Sequence, residues 1–383
     1  MPTVRVRLPA KSKTYDIRIG AALLGDLGPA IRESGGQTAR TVAIVSNQAV
    51  FNLYGKPAIR SLRSAGFTVK PLLVGDGELH KSFPTLDRVV GFLAENRLQR
   101  SDVVVALGGG VVGDLAGFAA AVYLRGVPFV QVPTTLLAQI DSSVGGKTGI
   151  NLRYGKNLAG AFHQPALVMI DTDTLRTLPR RELTAGFCEM VKQGAVGSRN
   201  LFDQTMRLLR AGTHSSGVLQ AGGMRTDLAA TIAAHVRFKA SIVTGDERED
   251  VSRTDRRSRR ILNFGHTTAH ALEKVTDYRR FRHGEAVGYG ILVAGELSKS
   301  LGMLPSRELE LLREAVALCG ALPSADDLSA VQITKAMTAD KKVVEGKLKW
   351  VLLERIGKPR IVDSAEIKPS VLRSALAAGL RSK

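Results

Sequence analysis

Cysteine is nearly absent: only Cys188 and Cys319 occur in 383 residues. Two thiols cannot build a disulfide framework or a thiolate zinc site, which fits a reducing compartment. Long apolar runs are missing too. None reaches the roughly 18 residues needed to cross a bilayer, and the opening MPTVRVRLPAKSK lacks the apolar stretch of a secretory signal. A cytoplasmic protein with no membrane partner is expected. Acidic residues are also in short supply, 35 against 54 basic ones, for a formal charge of +19. That balance suits nucleic acid, an anionic substrate or a generally basic proteome alike. The densest cluster, Arg248, Arg253, Arg256, Arg257, Arg259 and Arg260, shares its loop with Asp246, Glu247, Glu249, Asp250 and Asp255 and contains no aromatic ring. Nucleic-acid platforms alternate basic residues with stacking rings, so no nucleic-acid partner is expected.

What is present is ordinary in bulk, 44% hydrophobic and 23% charged, and too long for a single hydrophobic core. Short β-rich runs at Thr41–Val45, Thr68–Val74, Asp102–Leu107, Phe129–Val132 and Leu167–Ile170 alternate with helical patterns at Leu86–Asn96 and Val112–Tyr123. Such alternation predicts an α/β domain with a mostly parallel, Rossmann-like sheet covered on both faces. From about Glu182 the pattern turns helical, over Glu182–Arg210, Leu228–Ile242, His266–Val275, Gly284–Leu301 and Ser306–Leu318, with a late hairpin from Leu348–Leu353 and Arg360–Val362. Residues 1–180 and 181–383 are therefore expected to form two domains. No flexible linker separates them near Pro179 and Arg180, so they should pack with a cleft between them.

Gly108, Gly110 and Gly113 in LGGGVVGD keep the G-x-G-x-x-G spacing directly after a strand pattern and before a helical one. Glycines there permit a tight turn and close backbone approach, and the free N–H groups of the helix start attract a pyrophosphate. The ribose-binding acid expected about 20 residues later is missing, which sets the chain apart from a standard Rossmann dehydrogenase. A second segment, DSSVGGKT, ends like a nucleotide-triphosphate loop, but Asp141 stands where glycine is required and would repel the phosphate.

Glu189 and Lys192 lie three apart on a helical pattern and share a face. His266 and His270 stand at i and i+4, with His283 shortly after, three of only seven histidines in the chain. One carboxylate with two imidazoles leaves positions open on a catalytic Zn²⁺. Spacing does not say which two histidines would bind, although the i,i+4 pair is the simplest choice.

The runs GGGVVGDLAGFAAAVYLRGVPFVQVPTTLLAQIDSSVGGKTGINLRYGKN, LPRRELTAGFCEMVKQG, DERE, LNFGHTTAH, RHGEAV and DKKVVEGKLKWVLL together resemble the 3-dehydroquinate synthase family over nearly the whole chain. The resemblance implies an α/β nucleotide-binding domain and a helical domain with the active site in the cleft between them. It implies Zn²⁺ or Co²⁺ on Glu189, His266 and His283, with His270 as a proton acceptor on the substrate side. It implies NAD contacts from Asn47, Glu78, Lys81, Gly109, Gly110, Val111, Asp114, Thr134, Thr135, Lys156 and the turn of Thr174, Leu175, Arg176 and Thr177. The implied substrate contacts are Asp141, Lys147, Asn157, Lys192, Lys239, Arg259, Asn263, His270 and one of Lys341 or Lys342, with Arg125 reaching in from the partner of a homodimer.

Lysine and arginine are the donors suited to a sugar acid bearing both carboxylate and phosphate. The implied reaction is a cycle. A hydroxyl is oxidised by NAD, phosphate is eliminated, the hydride returns, and an intramolecular aldol step closes the ring of 3-dehydroquinate. An amino analogue of the substrate would make nearly the same contacts, and a glycerol-dehydrogenase-like oxidoreductase would share the two-domain plan. The chain departs from the family in three places. Glu249, implied as a second proton acceptor, is ten residues from Arg259, with DVSRTDRRS between them, so Arg260 competes for the arginine's role. Thr268 and Ala269 replace a phenylalanine and a glycine, and Gln193 stands where an aromatic or histidine is usual.

Overall fold

A computed structural model describes residues 14–212, 222–250, 252–341 and 349–381. The first half runs β1 (Asp16–Gly20), α1 (Leu27–Glu33), β2 (Thr41–Asn47), α2 (Gln48–Ser64), β3 (Thr68–Val74), α3 (Phe83–Glu95), β4 (Val103–Gly108), α4 (Gly110–Val122), β5 (Phe129–Pro133), β6 (Lys147–Leu152), β7 (Gly155–Phe162) and β8 (Leu167–Asp171). Six strands form one parallel sheet in the order β1-β8-β5-β4-β2-β3, and β6 and β7 form a separate hairpin.

Strand periodicity assigns the two faces. Val103, Val105 and Leu107 of β4 pack with Leu27 and Ile31 of α1 and Ala58 and Leu62 of α2. Val104 and Ala106 point the other way, to Val89 and Leu93 of α3 and Leu115, Ala116 and Ala119 of α4. Every residue of β4, β5 and β8 is buried. A fully buried valine or leucine side chain contributes about 1.5–3 kcal/mol, so these three strands carry much of the domain's stability. The alternation of strands and helices expected from the sequence is present, with Thr68–Val74 matched end to end.

The second half comprises α5 (Arg180–Gly197), α6 (Arg199–Gly212), α7 (Gly222–Gly245), α8 (His266–Val275), α9 (His283–Ser300), α10 (Ser306–Cys319), α11 (Ala330–Lys341), the antiparallel hairpin β9 (Lys349–Arg355) and β10 (Lys358–Asp363), and α12 (Pro369–Gly379). One expected helix is corrected. The stretch Glu182–Arg210 is two helices, because Ser198 turns extended at φ −164°, ψ 157° and its Oγ accepts the Leu201 N–H at 3.1 Å. A serine in that position caps the start of α6.

The halves share an apolar seam in which Val168 and Ile170 of β8 meet Met190 of α5, Leu208 of α6 and Ile232 and Val236 of α7. Helix α9 lies at the centre of the second half, against α5, α8, α10 and α12. Among the described residues no helix is long and apolar enough to cross a membrane.

Candidate active site between sheet and helices

After β2 the chain turns outward to β3, while after β4 it moves the other way to β5, so the strand order reverses between β2 and β4. Their carboxyl ends open a crevice, the usual ligand position in such sheets. Asn47 stands on one side of it, its Oδ1 accepting the Val50 N–H at 2.9 Å and its Nδ2 donating to Asp76 Oδ1 at 2.9 Å. On the other side Gly109 caps α4 in extended conformation and Gly110 begins the helix, followed by Val111. A Cβ on Gly109 would lie 3.0 Å from Thr135 Cγ2 and one on Gly110 3.0 Å from Ser142 Oγ, while a Cβ on Gly113 would lie 2.7 Å from Gln131 Oε1. The first two keep the backbone bare where a phosphate would approach, and the third lets α4 lie close on β5.

Two residues expected around the nucleotide, Lys81 and Asp114, are brought together with one expected on the substrate, Asn157. Lys81, 4% exposed, donates to Asp114 Oδ2 and to Asn157 Oδ1. Burial raises the Asp114 carboxyl above its ordinary range, with Lys81 opposing. Glu78 Oε1 accepts from Asn151 Nδ2 at 2.8 Å. Thr134 and Thr135 follow β5, and Thr135 Oγ1 accepts the Ala138 N–H at 3.2 Å. The turn Thr172–Thr177 is fixed by Tyr54, whose hydroxyl donates to the Thr174 carbonyl at 3.0 Å and also meets Thr177 Oγ1. Leu175 is buried within it, and Arg176 faces outward.

Across the cleft, α5 presents Glu189, α8 presents His266 and His270, and α9 begins at His283. One ligand atom from each of Glu189, His266 and His283 lies within 4.8 Å of the others. Nε2 of His283 is 3.5 Å and Nε2 of His266 is 3.9 Å from Glu189 Oε1. Both outer nitrogens are engaged, Nδ1 of His266 at 3.2 Å from the Phe264 carbonyl and Nδ1 of His283 at 3.2 Å from Glu273 Oε2. Glu189 Oε2 is buried with Lys192 Nζ at 2.6 Å, yet the contact lacks hydrogen-bond alignment and leaves that oxygen without a proper donor. A buried carboxylate whose Oε1 faces two imidazole nitrogens, while Lys192 stands against its Oε2, fits a divalent cation. Burial, with Lys192 and the two neighbouring histidines, pushes the His266 pKa well down, which keeps its lone pair free of a proton. The ring of His270 is exposed to the cleft, 5.5 Å from His266 and 6.0 Å from His283 between centroids. Geometry thus gathers the i,i+17 histidine pair on Glu189 rather than the i,i+4 pair that spacing suggests.

The cations converge on Asp141, in a single wide turn, Ala138–Ser142. Lys192 Nζ donates to Asp141 Oδ2 at 3.3 Å, and Lys239 Nζ to its Oδ1 and carbonyl oxygen. Burial acts to raise the Asp141 pKa, but Lys239 and Lys192 outweigh it and hold the carboxyl far below its usual range. Burial lowers Lys239, whereas for Lys192 the attraction of Glu189 and Asp141 overcomes burial and raises it. Arg259 is 4% exposed, its backbone N–H on Asp246 Oδ2 at 2.7 Å and its guanidinium on the Glu247 carbonyl at 2.7 Å. Arg260, the rival for that role, is half-buried. Glu249, at φ 58°, pairs with Lys147 and takes a 3.5 Å bond from Asn263 Nδ2.

Two expectations fall elsewhere. Arg125 sits exposed at the far end of α4 from the glycine loop. Lys342 lies outside the described residues, and of Lys341 only the backbone, at the end of α11, is described.

Sequence reasoning passed over Glu273 and the layer behind Lys192. Glu273 is 2% exposed and joins Lys156 Nζ, at 2.9 Å, to His283. Its helical position was a usable signal, three residues after His270 and seven after His266, on the same face of α8. Behind Lys192, Gln193 Nε2 donates to the Ile140 carbonyl at 3.1 Å and its Oε1 meets His235 Nδ1 at 3.1 Å, with Thr205 on the other ring nitrogen. The start of α9 is locked in turn. Glu285, fully buried, takes Arg181 at 2.8 and 2.6 Å, and a Cβ on Gly284 would lie 2.0 Å from the Ala185 carbonyl oxygen.

A glycine-bearing helix start on one domain faces an acid–imidazole set and buried lysines on the other. That pairing puts the chain in the class of two-domain cleft enzymes that set a nucleotide against a divalent-cation site. Within the class, the chain belongs to the 3-dehydroquinate synthase family. Residues 71–185 match the family's N-terminal region and residues 186–343 its C-terminal region. The 3-dehydroquinate synthase of Pelotomaculum thermopropionicum is 44% identical over 99% of this chain and 97% of its own length. That of Nostoc punctiforme is 42% identical over 97% and 98%. Among solved structures, ValA, a 2-epi-5-epi-valiolone synthase from Streptomyces hygroscopicus with NAD+ and Zn2+ bound, superimposes with a TM-score of 0.84 at 26% identity, covering 98% of this chain and 99% of that one.

Proposed function

We propose that the protein converts 3-deoxy-D-arabino-heptulosonate 7-phosphate to 3-dehydroquinate and phosphate, using NAD and a divalent cation, Zn²⁺ or Co²⁺. The observation that carries this reading is the placement of two buried lysines and a buried arginine, Lys192, Lys239 and Arg259, beside the Glu189–His266–His283 set. Uncompensated buried cations are costly. Glu189 and Asp141 lie against the lysines and Asp246 against Arg259, but a divalent cation taken up by Glu189 would leave positive charge in excess, so the site favours a polyanionic ligand over a neutral polyol such as glycerol.

When bound, NAD supplies reversible hydride transfer and the cation supplies Lewis-acid polarisation. The chain's own residues do the rest. Asn47, the glycine loop and Thr134–Thr135 hold the nucleotide at the sheet edge, with Lys81 and Asp114 fastening the adjoining hairpin. Lys192 and Lys239, aimed by Asp141, bind and orient the sugar acid, while Arg259, Lys147, Asn157 and Asn263 hold its charged ends. His270, exposed to the cleft, takes a proton from a substrate hydroxyl on a ring nitrogen. Glu249 serves as a second acceptor when Lys147 turns to the substrate. Burial of Lys192 and Lys239 limits water around the reacting carbons, which strengthens each of these charge contacts.

A homodimer is part of the proposal. Val122 and Leu124 beside Arg125, with Leu158 and Phe162 of β7, are exposed apolar side chains suited to a partner's surface. That arrangement would carry Arg125 to the partner's site. The cytoplasm is the inferred compartment, supported by two cysteines that are both buried free thiols.

Incubating the protein with NAD, Co²⁺ or Zn²⁺ and the heptulosonate phosphate should release phosphate and 3-dehydroquinate without net NADH, and a chelator should stop it. Accumulation of NADH would identify a dehydrogenase instead. Turnover of only the amino analogue would reassign the substrate.

A further inference from the structure

The proposed function leaves one buried charged group unused. Glu273 is an acid on α8 whose side chain is 3% exposed and whose two oxygens face opposite ways. Oε1 takes the Lys156 ammonium of β7 at 2.9 Å, and Oε2 lies 3.2 Å from Nδ1 of His283 at the start of α9. An ionised carboxylate only accepts hydrogen bonds, so the proton between them belongs to Nδ1. That leaves the lone pair of the imidazole on Nε2, the nitrogen that lies 3.5 Å from Glu189 Oε1. A purely structural ion pair would be complete with Lys156 alone; the second oxygen is spent on the histidine.

We infer that Glu273 is a positioning residue that fixes the tautomer and ring direction of His283 for a divalent cation and, through Lys156, ties that ligand to the nucleotide-binding domain. The inference rests on the Glu189–His266–His283 reading of the cation site. One ligand atom from each of His270, Glu273 and His283 also lies within 4.8 Å of the others. The Lys156 ammonium on Glu273 and the Nδ1–H on its other oxygen oppose a cation there. Lys156 is held in place by a further contact, its Nζ 4.5 Å from the centre of the Tyr278 ring. The link crosses the cleft, because β7 belongs to the sheet domain and α8 to the helical one.

The test is a chelator-competition titration of the metal-free full-length protein with Co²⁺ alone, read from the cobalt absorption bands, for wild type and three variants. Glu273→Ala should weaken Co²⁺ binding about 10- to 100-fold, the range seen when such outer partners of a metal-bound histidine are removed. Glu273→Gln, which keeps the shape and one acceptor, should fall between wild type and Glu273→Ala, so a folding defect of the alanine variant does not leave the matter open. Lys156→Ala should retain most of the Co²⁺ affinity while weakening NAD, because the carboxylate still holds His283. Equal Co²⁺ affinity in wild type, Glu273→Gln and Glu273→Ala would overturn the positioning role with the cation site intact. Absence of tight Co²⁺ binding in wild type would instead overturn the reading of the site on which it rests.

Discussion

At the carboxyl ends of the sheet strands the proposed nucleotide site is mostly backbone, a bare glycine loop, a helix start and a capping asparagine, with the Lys81–Asp114 pair beside it. On the helical side the same cleft is lined by buried ionised side chains, Glu189, Lys192, Lys239, Arg259, Glu273 and Glu285. A backbone cradle needs only space and direction, so its residues can change with little effect on folding. Buried charges satisfy one another, so removing one unbalances the rest.

The sharpest way to break this contrast is Asp141→Asn, which leaves two buried ammonium groups without their shared carboxylate. Unfolding in urea should show a loss of about 3–5 kcal/mol, with phosphate release falling below detection. Gly284→Ala should cost about 1–3 kcal/mol by overpacking α9 against α5, and should weaken Co²⁺ binding while leaving NAD binding as it was. Failure of the cation site to respond would mean that α9 can shift without moving His283.

Protonation sharpens the contrast from another side. Burial alone lowers the pKa of His235 from 6.5 to about 3. Its folded value lies below its unfolded one, so the unfolded chain binds the extra proton between the two. Stability from this group is fully present above pH 6.5 and is lost as pH falls towards 3, by at most about 1.4 kcal/mol per pH unit. Melting curves at pH 7 and 5 should therefore differ less for His235→Gln than for wild type. The smallest stability effect belongs to the glycine loop. Gly109→Ala, whose added methyl meets only the side chain of Thr135, should change unfolding by about 1 kcal/mol yet reduce NAD affinity in a fluorescence titration.

These differences also decided what could be read from the sequence. Strands β2, β4, β5 and β8 stand out because buried parallel strands are continuous apolar runs, and β3, at the other edge, was marked by its closing run of Leu72, Leu73 and Val74. The edge strand β1, with Asp16 and Arg18 among its five residues, and the glycine-bearing hairpin of β6 and β7 give no such run. The break at Ser198 was signalled by Gly197 before it, but apolar periodicity on both sides concealed it. In the candidate site, the glycine loop was legible from its spacing. The approach of His283 to Glu189 was implied by the family resemblance but not by spacing, since it depends on how α9 crosses α5, a contact set by Gly284 and the Arg181–Glu285 pair 104 residues apart in the chain.

Asp141 belongs to the sheet domain, yet both of its lysines come from helices of the other domain, α5 and α7. A polypeptide severed near residue 180 would separate anion from cations and strip the apolar seam along β8. Each fragment would expose its side of that seam, and activity from split genes would require the two products to meet.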